Sequence, residues 1–222
     1  AEQIARRQSR DAAERERLQR LLRRRDELQR EGYRCVAGVD EVGVGPLAGP
    51  VVAAAVVLPA RVELPGLDDS KRLSRAQRER LDARIREQCV GLGIGAVEPA
   101  EIDALNIYRA SLEAMRRAVE SLREACAVDF LLVDARTVPA VRLPQRSIVR
   151  GDANDASIAA ASIVAKVHRD ARMRAYDQEH AGYGFARHMG YGTARHLRAL
   201  RELGPSPIHR RSFAPVAAAA RA

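Results

Sequence analysis

Apolar residues recur along the chain with two different periods, and each change of period marks a new element. Leu18, Leu21, Leu22 and Leu28 fall at helical spacing among arginines and glutamates, and Gly32 ends the run, so residues 4–31 are predicted as a helix. Its apolar stripe is narrow, which suits a helix that packs loosely or presents arginines to a partner. From Tyr33 the pattern shortens. Tyr33 to Val39 and Val51 to Leu58 are β-branched and apolar runs joined by the glycine- and proline-rich segment 43–50, which predicts two neighbouring antiparallel strands. Ser74 is an N-cap residue for a helix through Gln88, and Val90 to Val97 reads as a third strand. Pro99 to Ala125 carries Ile102, Leu105, Leu112, Met115, Val119 and Leu122 at helical spacing. Phe130 to Val133 is a short buried strand ending at Asp134, and Arg146 to Val149 a fifth strand. Asp155 to Ala175 and Tyr191 to Leu203 complete the helices, ahead of a loop-like Gly204-Pro205-Ser206-Pro207.

This succession implies an α/β fold with a mixed five-stranded sheet flanked by helices. The expected organisation is an N-terminal helical extension over 1–32, one α/β domain with a C-terminal helical region over 33–216, and a frayed tail over 217–222. With 222 residues, 46% of them hydrophobic, the chain is large enough to bury a core. No apolar run approaches the roughly 20 residues of a membrane span, and the charged N-terminal segment lacks a signal core, so a soluble cytoplasmic protein with no membrane partner is expected. Cys35, Cys89 and Cys126 are odd in number and lack a CxxC pair, which argues against a disulfide framework and a zinc site and fits a reducing compartment.

Charge adds a direction. The net +9 divides into +4 over residues 1–34, −2 over 35–165 and +7 over 166–222. Basic ends around an acidic middle suit a polyanion gripped from outside while carboxylates work centrally. Arginine supplies 36 of the 38 cations, so Lys71 and Lys166 stand out as positions that call for a compact ammonium beside a phosphate or a carboxylate.

Four acids lie at strand ends or beside glycine: Asp40 and Glu41, Asp134, and Asp152. Carboxylates from distant strands can converge on one sheet edge, and a cluster without histidine or cysteine suits Mg²⁺ or Mn²⁺. A pair of such ions makes phosphodiester hydrolysis natural. Gly43-Val44-Gly45 can bring main chain close to a ligand, and Asp69-Ser70-Lys71 precedes a helix where Ser70 and Lys71 can meet a phosphate. Gly182 to Gly192 sets aromatic residues among glycines, suiting Tyr191 to stacking and Phe185, like Phe213 further on, to the core. His188 and His209 lack metal-ligand spacing and are expected to hydrogen bond or to contact phosphate.

The ordered series Ala37-Gly38-Val39-Asp40-Glu41-Val42-Gly43-Val44-Gly45-Pro46-Leu47-Ala48-Gly49-Pro50, Asp69-Ser70-Lys71, Val133-Asp134, Gly151-Asp152 with Ser157 to Val167, and Gly182 to Thr193 with Pro207 to Phe213 resembles the ribonuclease HII family. That resemblance implies a ribonuclease H-like fold and an endonuclease acting on the RNA-containing strand of RNA/DNA hybrids and of duplex DNA with embedded ribonucleotides. It implies two divalent ions, Mn²⁺ or Mg²⁺, on Asp40, Glu41, Asp134 and Asp152, and products with a 5′-phosphate and a 3′-hydroxyl. Gly43, Val44 and Gly45 would sense the 2′-hydroxyl, Tyr191 would stack at the junction with deoxyribonucleotide, and Ser70, Lys71 and Lys166 would contact substrate. Where the family carries arginine, lysine and glycine, this chain has Val44, Met189 and Ala135, and Val42 replaces a smaller alanine. The expectation is an active, monomeric enzyme with weakened substrate affinity or altered junction preference, the alternative being a catalytically weakened hybrid-binding member. A small-molecule phosphotransfer enzyme is disfavoured by the lack of a GxxxxGK[ST] loop.

Overall fold

The strand Val51–Val57 (β2) is apolar throughout and buried at every position, which demands cover on both faces of its sheet. The computed structural model describes residues 2–221, with the side chains of residues 9 and 12–221, and shows that cover. Ala1 and Ala222, the ends of the expected extension and tail, lie outside the described residues. The remaining strands are Val36–Val42 (β1), Gly91–Val97 (β3), Phe130–Asp134 (β4) and Gln145–Ile148 (β5), in the spatial order β3-β2-β1-β4-β5. β2 is antiparallel to both β1 and β3, whereas β1, β4 and β5 run parallel.

The helices are Glu2–Arg30 (α1), Arg75–Gln88 (α2), Pro99–Leu105 (α3), Ile107–Ala125 (α4), Gly151–Asn154 (α5), Ala156–Glu179 (α6), Phe185–His188 (α7), Ala194–Leu203 (α8) and Ala214–Ala219 (α9). Alternation along β2 divides the core in two. Val51, Ala53, Ala55 and Val57 pack with Ala114, Met115, Ala118 and Leu122 of α4. Val52, Ala54 and Val56 face α6, α2 and α1 through Ala160, Val164, Leu81, Ile85, Leu18 and Leu22. The glycines of β3 let α4 settle onto that strand, since a Cβ on Gly93 or Gly95 would lie 2.2 Å from a backbone oxygen of the helix. No described helix is long and apolar enough to cross a membrane.

Four readings of the pattern change. Residues 217–219 of the expected frayed tail are helical, completing α9, and Ala219 packs against the cluster of Leu47, Leu200 and Val216. Asp40 and Glu41 lie inside β1 rather than after it, so pleating sends them to opposite faces of the sheet. The apolar period over 99–125 is broken at Asn106, whose φ of 72 ends α3 and whose side chain caps α4 by accepting from Arg109 N. The first helix is firmly seated. Leu18, Leu22, Arg25 and Leu28 are buried at helical spacing, and Arg25 donates to the carbonyls of Pro59 and Ala60. Glu14 accepts from Gly66 N, Arg17 donates to Leu67 O, and Arg24 donates to Asn154 O. Hydrogen bonds from polar residues beside a narrow apolar stripe thus hold the helix.

α6 approaches β1 most closely at Gly38, where a Cβ would fall 2.1 Å from the Ser157 carbonyl carbon. Gly38→Ala must push helix and strand apart and is expected to lower stability by about 2–4 kcal/mol, read as a lower urea midpoint with an unchanged slope.

Candidate active site

Parallel pairing in mid-sheet brings the first carboxylates together. Val39 of β1 pairs with Val133 of β4, so Asp40, two residues before the end of β1, and Asp134, the last residue of β4, stand side by side on adjacent strands. β5, parallel to β4, leads into α5, which carries Asp152; Gly151 N donates to Asp134 Oδ1 at 2.6 Å and ties α5 to β4. Glu41 turns to the α4 face, where Arg136 Nη2 lies 3.9 Å from its Oε1. Lys71 closes the other end of the row, its Nζ 3.1 Å from Asp152 Oδ2.

Burial and crowding disfavour negative charge here. Asp40 is only 6% exposed, and its carboxyl is pushed well above the usual range by burial and by Glu41 and Asp134, against a stabilising hydrogen bond with Ser162. Burial likewise raises Glu41, with Asp134 adding to the effect and Arg136 opposing it. Asp134 is raised by burial and by Asp152, while Gly151 N–H and Lys71 pull it down. Among the described residues no three such side chains stand at ligand distances. The donors nevertheless suit a hard divalent cation: all are carboxylate oxygens, and a cation would relieve their mutual repulsion.

Ser70 lies beneath the row. Its hydroxyl is buried and 2.9 Å from Ser162 Oγ, so it supports the residue that bonds Asp40 rather than facing outward. Lys166 is turned to Asp170 at 2.7 Å, one helical turn away on α6. The structure therefore brings Asp40, Glu41, Asp134, Asp152 and Lys71 together and leaves the side chains of Ser70 and Lys166 otherwise engaged.

Beside the carboxylates, segment 43–50 is held by two arginines that are themselves fully buried. Arg210 donates to the carbonyls of Gly43, Val44 and Gly49 at 2.5, 3.0 and 2.9–3.0 Å. Arg169 donates to those of Pro50, Ala48 and Met189 at 2.9–3.0 Å. Burial and the neighbouring cation bring Arg210 down to about 9, and burial brings Arg169 to about 10. The carbonyls of Gly43 and Val44 are thus occupied, whereas among the described residues nothing accepts from the N–H of Val44 or Gly45. Tyr191, 45% exposed, stands over this turn, with its ring 3.7 Å from where a Cβ on Gly45 would sit.

Histidines carry Tyr191. Ser206 N donates to His209 Nδ1, His209 Nε2 faces His196 Nε2 at 3.0 Å, and His196 Nδ1 faces Tyr191 O at 2.9 Å. One consistent assignment exists for neutral rings: His209 donates from Nε2 to His196, which donates from Nδ1 to Tyr191 O. Burial lowers His196, and burial with His196 lowers His209 to about 4. The sequence marked His188 and His209 as hydrogen-bonding residues, and both are buried and bonded. It missed Arg169, Arg210, Ser162 and Arg136. Arg169 had a signal, since Ser162, Ala165, Arg169 and Met173 form a buried helical stripe.

The family model described as Ribonuclease HII matches residues 37–216. A protein of Desulfitobacterium hafniense (strain Y51) named ribonuclease HII is 55% identical over 203 residues, covering 91% of this chain and 77% of that protein. A ribonuclease HII of Myxococcus xanthus (strain DK1622) is 53% identical over 217 residues, 97% of this chain and 73% of its own length. The crystal structure of ribonuclease H2 from Pyrococcus horikoshii OT3 superposes with a TM-score of 0.71 at 27% identity, over 85% of this chain and 98% of that one.

A buried acid whose folded-state pKa is raised adds stability below its ordinary value near 3.8 and loses it as pH rises through the raised value. At pH 7 without metal, Asp40→Asn is therefore expected to raise the melting temperature by about 2–4 °C or more, a gain that disappears near pH 3.5 in a calorimetric series.

Proposed function

The chain belongs to the ribonuclease HII family and is a ribonuclease H, a phosphodiester hydrolase, and from that premise we propose that it nicks the RNA-containing strand of RNA/DNA hybrids and of duplex DNA with embedded ribonucleotides. The products are a 5′-phosphate and a 3′-hydroxyl, and the cofactors two Mn²⁺ or Mg²⁺ ions. The observation that supports this most is the adjacency of a crowded carboxylate row to a turn in which the carbonyls of Gly43 and Val44 are taken while, among the described residues, nothing accepts from the N–H of Val44 or Gly45.

Asp40, Glu41, Asp134 and Asp152 would hold the ions. When bound, they supply an acidified water and stabilise the departing oxygen. The chain's own groups do the selecting. An N–H of Val44 or Gly45 is a donor, and a ribose 2′-hydroxyl offers the oxygen that accepts it, whereas deoxyribose offers none. With valine between the glycines, discrimination rests on main chain alone. Tyr191 presents a ring for stacking on the sugar or base beyond the scissile position. Lys71, whose side chain is 79% exposed, stands ready for a backbone phosphate as well as for Asp152. The net +7 of residues 166–222 draws the duplex toward this end of the molecule.

A duplex with a single embedded ribonucleotide, incubated with Mg²⁺ or Mn²⁺ beside an all-DNA control, tests the proposal. Cleavage at the ribonucleotide alone is expected, with Asp40→Asn and Asp134→Asn losing at least about a thousandfold in rate while binding persists. Binding without cleavage in either metal would instead make the protein a hybrid-binding member. Val44→Arg is expected to tighten binding and to steepen its dependence on salt by about one released ion.

A further inference from the structure

Among the described residues two tyrosines are exposed, and both stand beside the site: Tyr191 at 45% and Tyr108 at 59%. Tyr108 lies in the first turn of α4, with the Arg136 guanidinium carbon 5.2 Å from its ring centroid. Arg136 Nη1 donates to Ser111 Oγ at 2.5 Å, and Ser111 in turn donates to Tyr108 O. The chain reaches this position through Ala135, whose φ of 50 makes a left-handed turn directly after Asp134.

The guanidinium is thus fixed in plane yet under-used. Its approach to Glu41 is 3.9 Å, beyond hydrogen-bond length, and its bond to Ser111 occupies one of five donors. The side chain is 30% exposed. Carboxylates repel backbone phosphates, and the row is flanked by one cation at each end, Lys71 by Asp152 and Arg136 by Glu41. An arginine laid on an aromatic face, with spare paired donors, is preorganised to take a phosphate bidentately.

We propose that Arg136, held against Tyr108, is a phosphate-binding position for the duplex backbone at the Glu41 end of the carboxylate row. The proposal rests on reading the chain as a duplex-cleaving ribonuclease H. It gives the site two anchoring points for backbone, with the scissile bond between them.

Steady-state cleavage of the single-ribonucleotide duplex, binding across a salt series and melting temperature are measured for wild type, Arg136→Gln, Arg136→Lys and Tyr108→Ala. Arg136→Gln is expected to raise KM about tenfold and to lower the salt slope by about one, with kcat, metal requirement and melting temperature little changed. Arg136→Lys keeps the slope but still weakens KM, because one ammonium cannot pair bidentately; Tyr108→Ala raises KM about threefold through loss of the shelf. Unchanged KM and salt slope in Arg136→Gln would overturn the proposal. So would an effect confined to the metal concentration for half-maximal rate, which would make Arg136 a counter-ion to Glu41. A wild-type protein that neither binds nor cleaves the duplex would overturn the underlying reading, and the unmutated enzyme alone reports that.

Discussion

Two buried guanidinium groups that, among the described residues, have no directly bonded carboxylate are the constraint around which this molecule is organised. Taking such a charge out of water costs several kcal/mol unless hydrogen bonds replace its hydration. Arg169 and Arg210 meet the condition with backbone carbonyls of residues 43, 44, 48, 49, 50 and 189. Because each fork is planar and rigid, the carbonyls must take fixed directions. Segment 43–50 is consequently not a free loop. It is clamped from α6 on one side and from the C-terminal segment on the other, and it enters β2 at a set angle.

That clamp and the carboxylate row answer different halves of one problem. Parallel strands β1 and β4 deliver Asp40 and Asp134 to the same edge, and α6, which meets β1 at Gly38, carries Ser162, whose hydroxyl favours the charged form of Asp40. The acids are held where they resist ionisation together, which is a reason for a cation to bind. The clamp turns the neighbouring main chain so that the carbonyls of Gly43 and Val44 face inward while, among the described residues, nothing accepts from the N–H of Val44 or Gly45. The histidine relay then sets Tyr191 above the turn by its carbonyl, leaving the ring exposed. On the function proposed above, recognition of a sugar hydroxyl and hydrolysis of the phosphodiester beside it would share one rigid edge of the sheet.

Much of the fold is legible in the sequence. The two strands of the first hairpin and β4 announce themselves through apolar runs, and Asp134 through its place at a strand end. The break at Asn106 was hidden because apolar spacing continued across it, and a positive φ leaves no mark on periodicity. The extent of β1 was underestimated because Asp40 and Glu41 look like a polar terminus, although Asp40 is buried on one face and Glu41 half-buried on the other. Ser70 and Lys166 sat in the right motifs, yet their side chains turn to Ser162 and Asp170, a matter of rotamer and neighbour. The arginines of the clamp were obscured by abundance: among 36, nothing in composition separates a buried one from a solvated one. Only the helical stripe through Arg169 could have singled it out.

On the proposed function, the 2′-hydroxyl is read by main chain whose direction the buried arginines set, independently of the side chain at position 44. The most direct test is the ratio of cleavage rates for two duplexes that differ in a single 2′-hydroxyl, measured in wild type, Val44→Ala and Arg210→Lys. The account predicts a ratio preserved in Val44→Ala and reduced in Arg210→Lys, whose ammonium cannot hold both carbonyls in plane. A ratio that falls in Val44→Ala would contradict it, because the valine side chain would then be doing the reading.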